Sequence, residues 1–207
     1  MNRSSSEHAL GSALPVDIQV DPTTGGWFVQ GVPMVLVPRH LLTHTLTAIE
    51  SALGSSSASV LAESGRHAAA QWCAHEEATS GRTGMALLIH YLQQLTARGW
   101  GQFFLQDVDL ENKGACTVIV AHSALAMRPT PTAGTACYMF ASWLEGAVGY
   151  LQRTTGSTGC VVAQETQCRA AGETECRFEL RTDRDGEPRV VENADRYPFA
   201  ANHDEDI

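Results

Sequence analysis

Apolar residues recur every three or four positions from residue 38 to 98, and the period then drops to two. Pro38 opens the first helical stretch, whose apolar face is Leu42, Leu46, Ile49 and Leu53, and Gly54 closes it. A second helix is predicted over about 57–79, with Val60, Leu61, Ala68, Ala69 and Trp72 near one face. Gly65 and the alanine run 68–70 would let another element approach closely. Gly81 and Gly84 mark the break before a third helix, carried by Met85, Leu88, Ile89, Leu92 and Leu95 and closed by Arg98-Gly99. Residues 100–110 and 115–121 read as two strands around Glu111-Asn-Lys-Gly114, a hairpin signal. A loop at Thr130-Pro-Thr-Ala-Gly134 precedes a fourth helix over about 135–153. Its stripe of Cys137, Phe140, Ala141, Leu144, Val148 and Leu151 turns Cys137 inward. Residues 160–165 and 175–181 form a last strand pair. In the second of these Cys176, Phe178 and Leu180 alternate with Arg177, Glu179 and Arg181, as a half-buried strand requires. Ahead of all this, Trp27 to Val37 is strand material interrupted by Gly31 and Pro33. The pattern is α+β, with helices packed on an antiparallel sheet in one domain over 16–182.

Composition narrows the function classes. At 207 residues the chain can build one substantial core, and no run is apolar for long enough to cross a membrane. The polar start lacks the apolar stretch of a secretory signal, so a cytoplasmic protein is expected. Net charge is -9. The tail 183–207 holds eight acidic and three basic residues, supplying -5 of it, and is expected to stay solvated; Tyr197-Pro-Phe199 could instead anchor on a partner. Residues 1–15, rich in Ser and Gly, read as a disordered leader. With no basic stripe, nucleic acid is not an expected ligand.

There are six cysteines, at 73, 116, 137, 160, 168 and 176, and in a cytosolic chain of this size a disulfide framework is not expected. Cys73 and Cys116 fall in helix and strand patterns and read as small buried hydrophobes. The other end of the chain is different in kind. Glu165-x-x-Cys168 is followed eight residues later by Cys176, with Gly172 at the bend, so three donors meet by local geometry; Cys137 would arrive from the fourth helix. Three thiolates and a carboxylate satisfy a tetrahedral zinc ion and leave no open position, which would make the ion structural. The competing readings are buried free thiols beside a surface carboxylate, with Cys160 a rival donor, and a catalytic thiol, for which no His stands nearby in sequence.

Two segments carry a resemblance. Cys137-Tyr-Met-Phe-Ala-Ser-Trp-Leu-Glu-Gly146 and Glu165-Thr-Gln-Cys168-Arg-Ala-Ala-Gly172-Glu-Thr-Glu-Cys176-Arg-Phe178 resemble the 4-vinyl-reductase domain family over roughly residues 30–182. The resemblance implies an α+β small-molecule-binding fold similar to the heme nitric-oxide-binding domain and to TRAPP core subunits. It also implies zinc held by Cys137, Glu165, Cys168 and Cys176, as in the phenol-type sensors of the family. Pro33-Met-Val-Leu-Val-Pro-Arg-His40, Arg98-Gly-Trp-Gly-Gln-Phe103 and Cys137-Tyr-Met-Phe140 are similar to a subgroup of small stand-alone members. Those accompany flavin dehydrogenase systems that demethylate methylated amines such as dimethylglycine. The implied role is an accessory subunit of such a complex, or a homodimer, without catalysis of its own. A sensor for a small aromatic or hydrophobic molecule and a reductase of a tetrapyrrole vinyl group are the alternatives.

An apolar ligand in such a fold would lie between helices and sheet. The aromatic candidates are Trp72, Tyr91, Trp100, Phe103, Tyr138 and Phe140, with Phe104 and Trp143 beside them, most of them expected to be core. His90 is expected on the exposed side of the third helix. His40 and His44, one turn apart, lack a third donor; Arg39-His40 could meet a partner. His75-Glu76-Glu77 lacks the second His of a zinc-protease helix, Gly99-Trp-Gly101 is too short to cradle phosphate, and Ser123 has no nucleophile context.

Overall fold

The structure, a computed structural model, describes residues 17–29, 31–110, 114–127, 136–157 and 159–183. The expected leader, nearly all of the acidic tail with Tyr197-Pro-Phe199, the Thr130 loop and most of the Glu111 turn lie outside the described residues. The chain opens with three short strands, β1 (Ile18–Val20), β2 (Trp27–Val29) and β3 (Val32–Met34), paired antiparallel in that order. Three helices follow: α1 (Arg39–Leu53), α2 (Ser57–Ser80) and α3 (Gly84–Ala97). Then come β4 (Gln102–Asp109), β5 (Ala115–Ala121), α4 (Tyr138–Thr154), β6 (Cys160–Gln167) and β7 (Cys176–Asp183). The second sheet is antiparallel in the order β4-β5-β7-β6. The fold is therefore α+β, as the periodicity predicts. Among the described residues no helix is long and apolar enough to cross a membrane.

The core lies between this sheet and α2, α3 and α4. β7 contributes Cys176, Phe178 and Leu180, β5 contributes Cys116, Val118 and Val120, and β4 contributes Phe103 and Leu105. Helices α2 and α4 meet along a glycine seam. A Cβ at Gly65 would sit 2.7 Å from Trp143 Cδ1, and one at Gly146 would sit 2.8 Å from Arg66 Cα. Only glycine lets the two backbones come so close. Beside the seam Arg66 Nη1 meets Glu145 Oε2 at 2.9 Å, while Glu145 Oε1 accepts the Ala163 N–H at 3.1 Å. One buried carboxylate thus ties α2, α4 and β6 together.

Three readings need correction. The buried face of α2 is Gly65, Ala69, Trp72, Cys73 and Glu76; Val60 and Ala68 are exposed, because α4 docks on the glycine side. On α1 only Thr43 and Leu46 are buried, and Leu53 stays 44% exposed. His90 is buried, not exposed. Its ring stacks on Trp72 at 5.7 Å, and Nε2 lies 3.2 Å from Glu76 Oε1, which Arg82 also engages at 2.8 Å. Burial lowers the His90 pKa, Glu76 opposes that, and Arg82 and Arg98 add to it.

Candidate metal centre and cavity

The β6–β7 connection is built to present donors on one side. β6 carries a bulge between Glu165 and Gln167, which re-aims its end. Cys168 leads into a short 3-10 turn, Arg169–Ala171, and its carbonyl accepts from Ala171 and Glu173. Gly172 turns the chain back at φ 104°, a conformation that favours glycine. Cys176 starts β7, fixed opposite Val120 of β5. Cys137 is not inside α4, as the helical stripe suggested; it caps the helix at φ -106°, ψ 27°. Its carbonyl accepts from the N–H groups of Phe140 and Ala141, its N–H donates to Glu165 Oε2 at 2.9 Å, and the helix begins at Tyr138.

These segments bring together Cys137, Glu165, Cys168 and Cys176, whose ligand atoms all lie within 4.8 Å of one another. The Cys137 and Cys176 sulfurs are 3.6 Å apart. Two sulfurs on a tetrahedral zinc at about 2.3 Å would be separated by about 3.8 Å. Glu165 Oε1 is buried and has no hydrogen-bond partner. An orphaned carboxylate oxygen beside three buried thiols is the arrangement a cation resolves. The donor set fits a thiophilic divalent ion, which Cys137, Glu165, Cys168 and Cys176 would hold with no position left for substrate.

Without an ion the four groups must share protons. Burial pushes the Glu165 carboxyl up to about 8. Hydrogen bonds from Cys137 and Cys176 pull the Cys168 thiol well down, while bonds with Cys168 and Cys176, and burial, hold Cys137 far above the ordinary thiol range. The other cysteines stand apart. Cys160 sits at the opposite end of β6, five residues from Glu165, or about 17 Å along an extended strand. Cys73 and Cys116 are buried thiols pushed up to about 12 by desolvation, which leaves them unreactive. All six are free thiols. His40 and His44 are edge-on at 6.3 Å and belong to no donor group among the described residues. Sequence reasoning passed over Ser123, which is fully buried with Oγ 3.2 Å from Cys137 Sγ.

Of the six aromatic pocket candidates, Trp72, Tyr91, Phe103 and Phe140 are buried in the core, and Trp100 and Tyr138 are partly exposed. Phe140 is the hub: its ring centroid is 5.3 Å from Phe103, 5.3 Å from Trp143 and 6.4 Å from Phe178. None of the six lines the cavity of about 410 Å³ that opens at the far end of α4. Met85, Leu110, Val148 and Leu151 give that cavity apolar walls, and Gln152 and Thr182 give it a polar corner. Gln152 Nε2 donates to Thr182 Oγ1, which donates to the Gly114 carbonyl at 3.0 Å; Gln152 Oε1 is buried and unpartnered.

Comparison with known proteins agrees with this architecture. Residues 13–106 match the family described as Domain of unknown function (DUF5943), a match that ends inside β4, before the metal donors. No curated protein matches the chain by sequence. The chain is similar in structure to the phenol-responsive sensory domain of the transcription activator PoxR with phenol. That likeness has TM-score 0.68 and 14% identity and covers 80% of this chain and 84% of the other. It is similar to a vinyl-4-reductase family protein from Methanocaldococcus jannaschii (TM-score 0.50, 14% identity, 72% and 83% covered). It is also similar to a trafficking protein particle complex subunit 3 from Naegleria fowleri covalently bound to palmitic acid (TM-score 0.51, 9% identity, 73% and 98% covered). At these identities the fold is what is shared: the chain has a vinyl-4-reductase-like fold with a cysteine-rich cluster that can hold a metal ion.

Proposed function

We propose that the protein is a zinc-containing small-molecule-binding module that acts as a non-catalytic accessory subunit of a flavin-dependent, N-demethylating oxidoreductase system in the cytoplasm. The observation that carries the metal half is the convergence of three thiols and one carboxylate from three separate segments, with one carboxylate oxygen left unpaired. A closed four-donor set braces structure and offers no site for catalysis; when bound, the ion would tie the start of α4 to the β6–β7 hairpin. The accessory role is supported by the sequence likeness of Pro33 to His40 and Arg98 to Phe103, and, among the described residues, by a cavity lining without an acid-base set. Self-association as a homodimer belongs to the same proposal.

Metal analysis of the purified chain should give close to one zinc per chain, and purification from native extract should bring flavoprotein subunits with it. Well under one zinc, or a solitary protein with its own turnover, would overturn the respective half. A ligand sensor is the second reading, favoured by the cavity beside Gln152, whose free acceptor suits a small apolar molecule carrying one donor group. Phenol titration monitored by intrinsic fluorescence, against a Leu151→Trp variant that fills the cavity, tests it; no response of the unmodified chain would dismiss it.

A further inference from the structure

The proposed ligands are each met by one hydrogen-bond donor of the protein. The Cys137 N–H reaches Glu165 Oε2 at 2.9 Å, the Ala136 N–H reaches Cys168 Sγ at 3.3 Å, and the Arg169 N–H reaches Cys176 Sγ at 3.4 Å. Among the described residues Cys137 Sγ has no such amide. Its neighbour is Ser123 Oγ at 3.2 Å.

A hydroxyl can accept two hydrogen bonds and donate one. Ser123 Oγ already accepts from the N–H groups of Leu125 and Ala126, each at 3.2 Å. Ser123 is 0% exposed, so water does not take its hydrogen. What remains is the O–H, and among the described residues Cys137 Sγ is the acceptor within reach. If Cys137 donated instead, Oγ would take three hydrogen bonds and its own hydrogen would be left without a partner, a costly arrangement in a dry site.

We propose that Ser123 is a positioning residue for the metal centre: its hydroxyl donates to Cys137 Sγ, aiming that sulfur at the other three donors and holding it as the acceptor a metal needs. The assignment rests on the zinc reading above. Its placement comes from the sheet. Ser123 follows the end of β5, whose Val120 pairs with Cys176, and His122 takes a left-handed turn at φ 55° between them. The strand that fixes Cys176 therefore also fixes the donor for Cys137. Partners that hydrogen-bond metal ligands typically contribute 10- to 100-fold in affinity.

The test compares the full chain with Ser123→Ala and Ser123→Thr. Ser123→Ala should bind zinc about 10- to 100-fold more weakly in chelator competition. With cobalt in place of zinc, its sulfur-to-metal absorption should move to longer wavelength, because a sulfur without its hydrogen bond is more easily oxidised. Ser123→Thr should restore both. A role confined to the turn predicts lower melting with cobalt bands and affinity unchanged, and that result would overturn the assignment. If Ser123→Ala does not fold, cadmium-113 in the unmodified protein decides: through-bond coupling from the metal to the Ser123 hydroxyl proton is expected beside those to the Ala136 and Arg169 amides. Amide couplings without the hydroxyl coupling would refute the donor. A chain that binds neither zinc nor cobalt would refute the metal reading itself, whereas tight zinc with an unaffected Ser123→Ala refutes only the role of Ser123.

Discussion

Replacing Gly146 with alanine separates a helix effect from a packing effect. In a free helix alanine is favoured over glycine by about 1 kcal/mol. Both Gly146 and Gly149 lie in α4, so both substitutions carry that local gain. Their surroundings differ. The new methyl at Gly146 meets backbone of α2, with Arg66 Cα at 2.8 Å and its carbonyl carbon at 2.9 Å. The Arg66 carbonyl oxygen lies closer still; ordinary carbon contacts begin near 3.5 Å, so the helices must part by at least about 0.7 Å. Overpacking of this kind costs about 1–3 kcal/mol, and it also stretches the Arg66–Glu145 pair across the same seam. The methyl at Gly149 meets only the end of the Arg153 side chain at 3.4 Å, which can move aside. Gly146→Ala should therefore lower stability by up to about 2 kcal/mol, net of the helix gain, while Gly149→Ala raises it by about 0.5–1 kcal/mol. Urea unfolding followed by circular dichroism measures both. A Gly146→Ala protein as stable as Gly149→Ala would refute the close α2–α4 approach.

Cys176→Ser should lose the metal and melt below the unmodified chain by an amount equivalent to about 4 kcal/mol when free zinc is a thousandfold above Kd; excess EDTA should bring the unmodified chain to the same melting point and leave the variant unchanged. Glu145→Ala strands Arg66 and the Ala163 N–H and should cost about 3 kcal/mol in denaturant melts. The double change of Arg66 and Glu145 to methionine should cost less, because no charge is left unpaired. His90 has a folded pKa below the ordinary imidazole value, chiefly through burial, so the unfolded chain binds its proton more readily. Its contribution is present above about pH 6.5 and is lost as pH falls from there through the lower folded value. Melting points from pH 8 to 5 should fall on acidification, and His90→Gln should flatten that slope.

The strand and helix content was legible because it is written in local period: Cys176, Phe178 and Leu180 point inward as their alternation requires. Gly172 also sits where a left-handed turn is needed. What was not legible depends on partners distant in sequence. His90 reads as exposed until α2 supplies Trp72 and Glu76 to cover it. Val60 looks like core until Gly65 draws α4 to the other side of α2. Cys137 reads as helical because its apolar neighbours continue the stripe, yet it stands at the cap, its N–H held by Glu165, 28 residues on. Ser123 carried no signal, since a serine beside a turn is ordinary until a sulfur is placed against it. The short strand β1 was missed for a related reason: three exposed residues hold no pattern without β2 beside them.

The metal should hold a corner of the domain and not its centre. The aromatic hub of Phe103, Phe140, Trp143 and Phe178 packs ring against ring without the cluster. The connection from Cys168 to Glu175 has little of its own to bury: Cys168 and Ala170 are its buried side chains, and its ties to the rest run largely through sulfur. With the ion removed, the bonds that tie the three thiols and the carboxylate to one centre are gone, and the inexpensive response is for this loop and the cap at Cys137 to open. Hydrogen exchange after chelation should therefore show protection lost at Ala136, Cys137 and Arg169, while the β5 amides of Val118 and Val120, paired within the sheet, keep theirs. Equal loss across β5 and the loop would mean that the ion supports the whole fold, and the aromatic core would then have to be judged insufficient on its own.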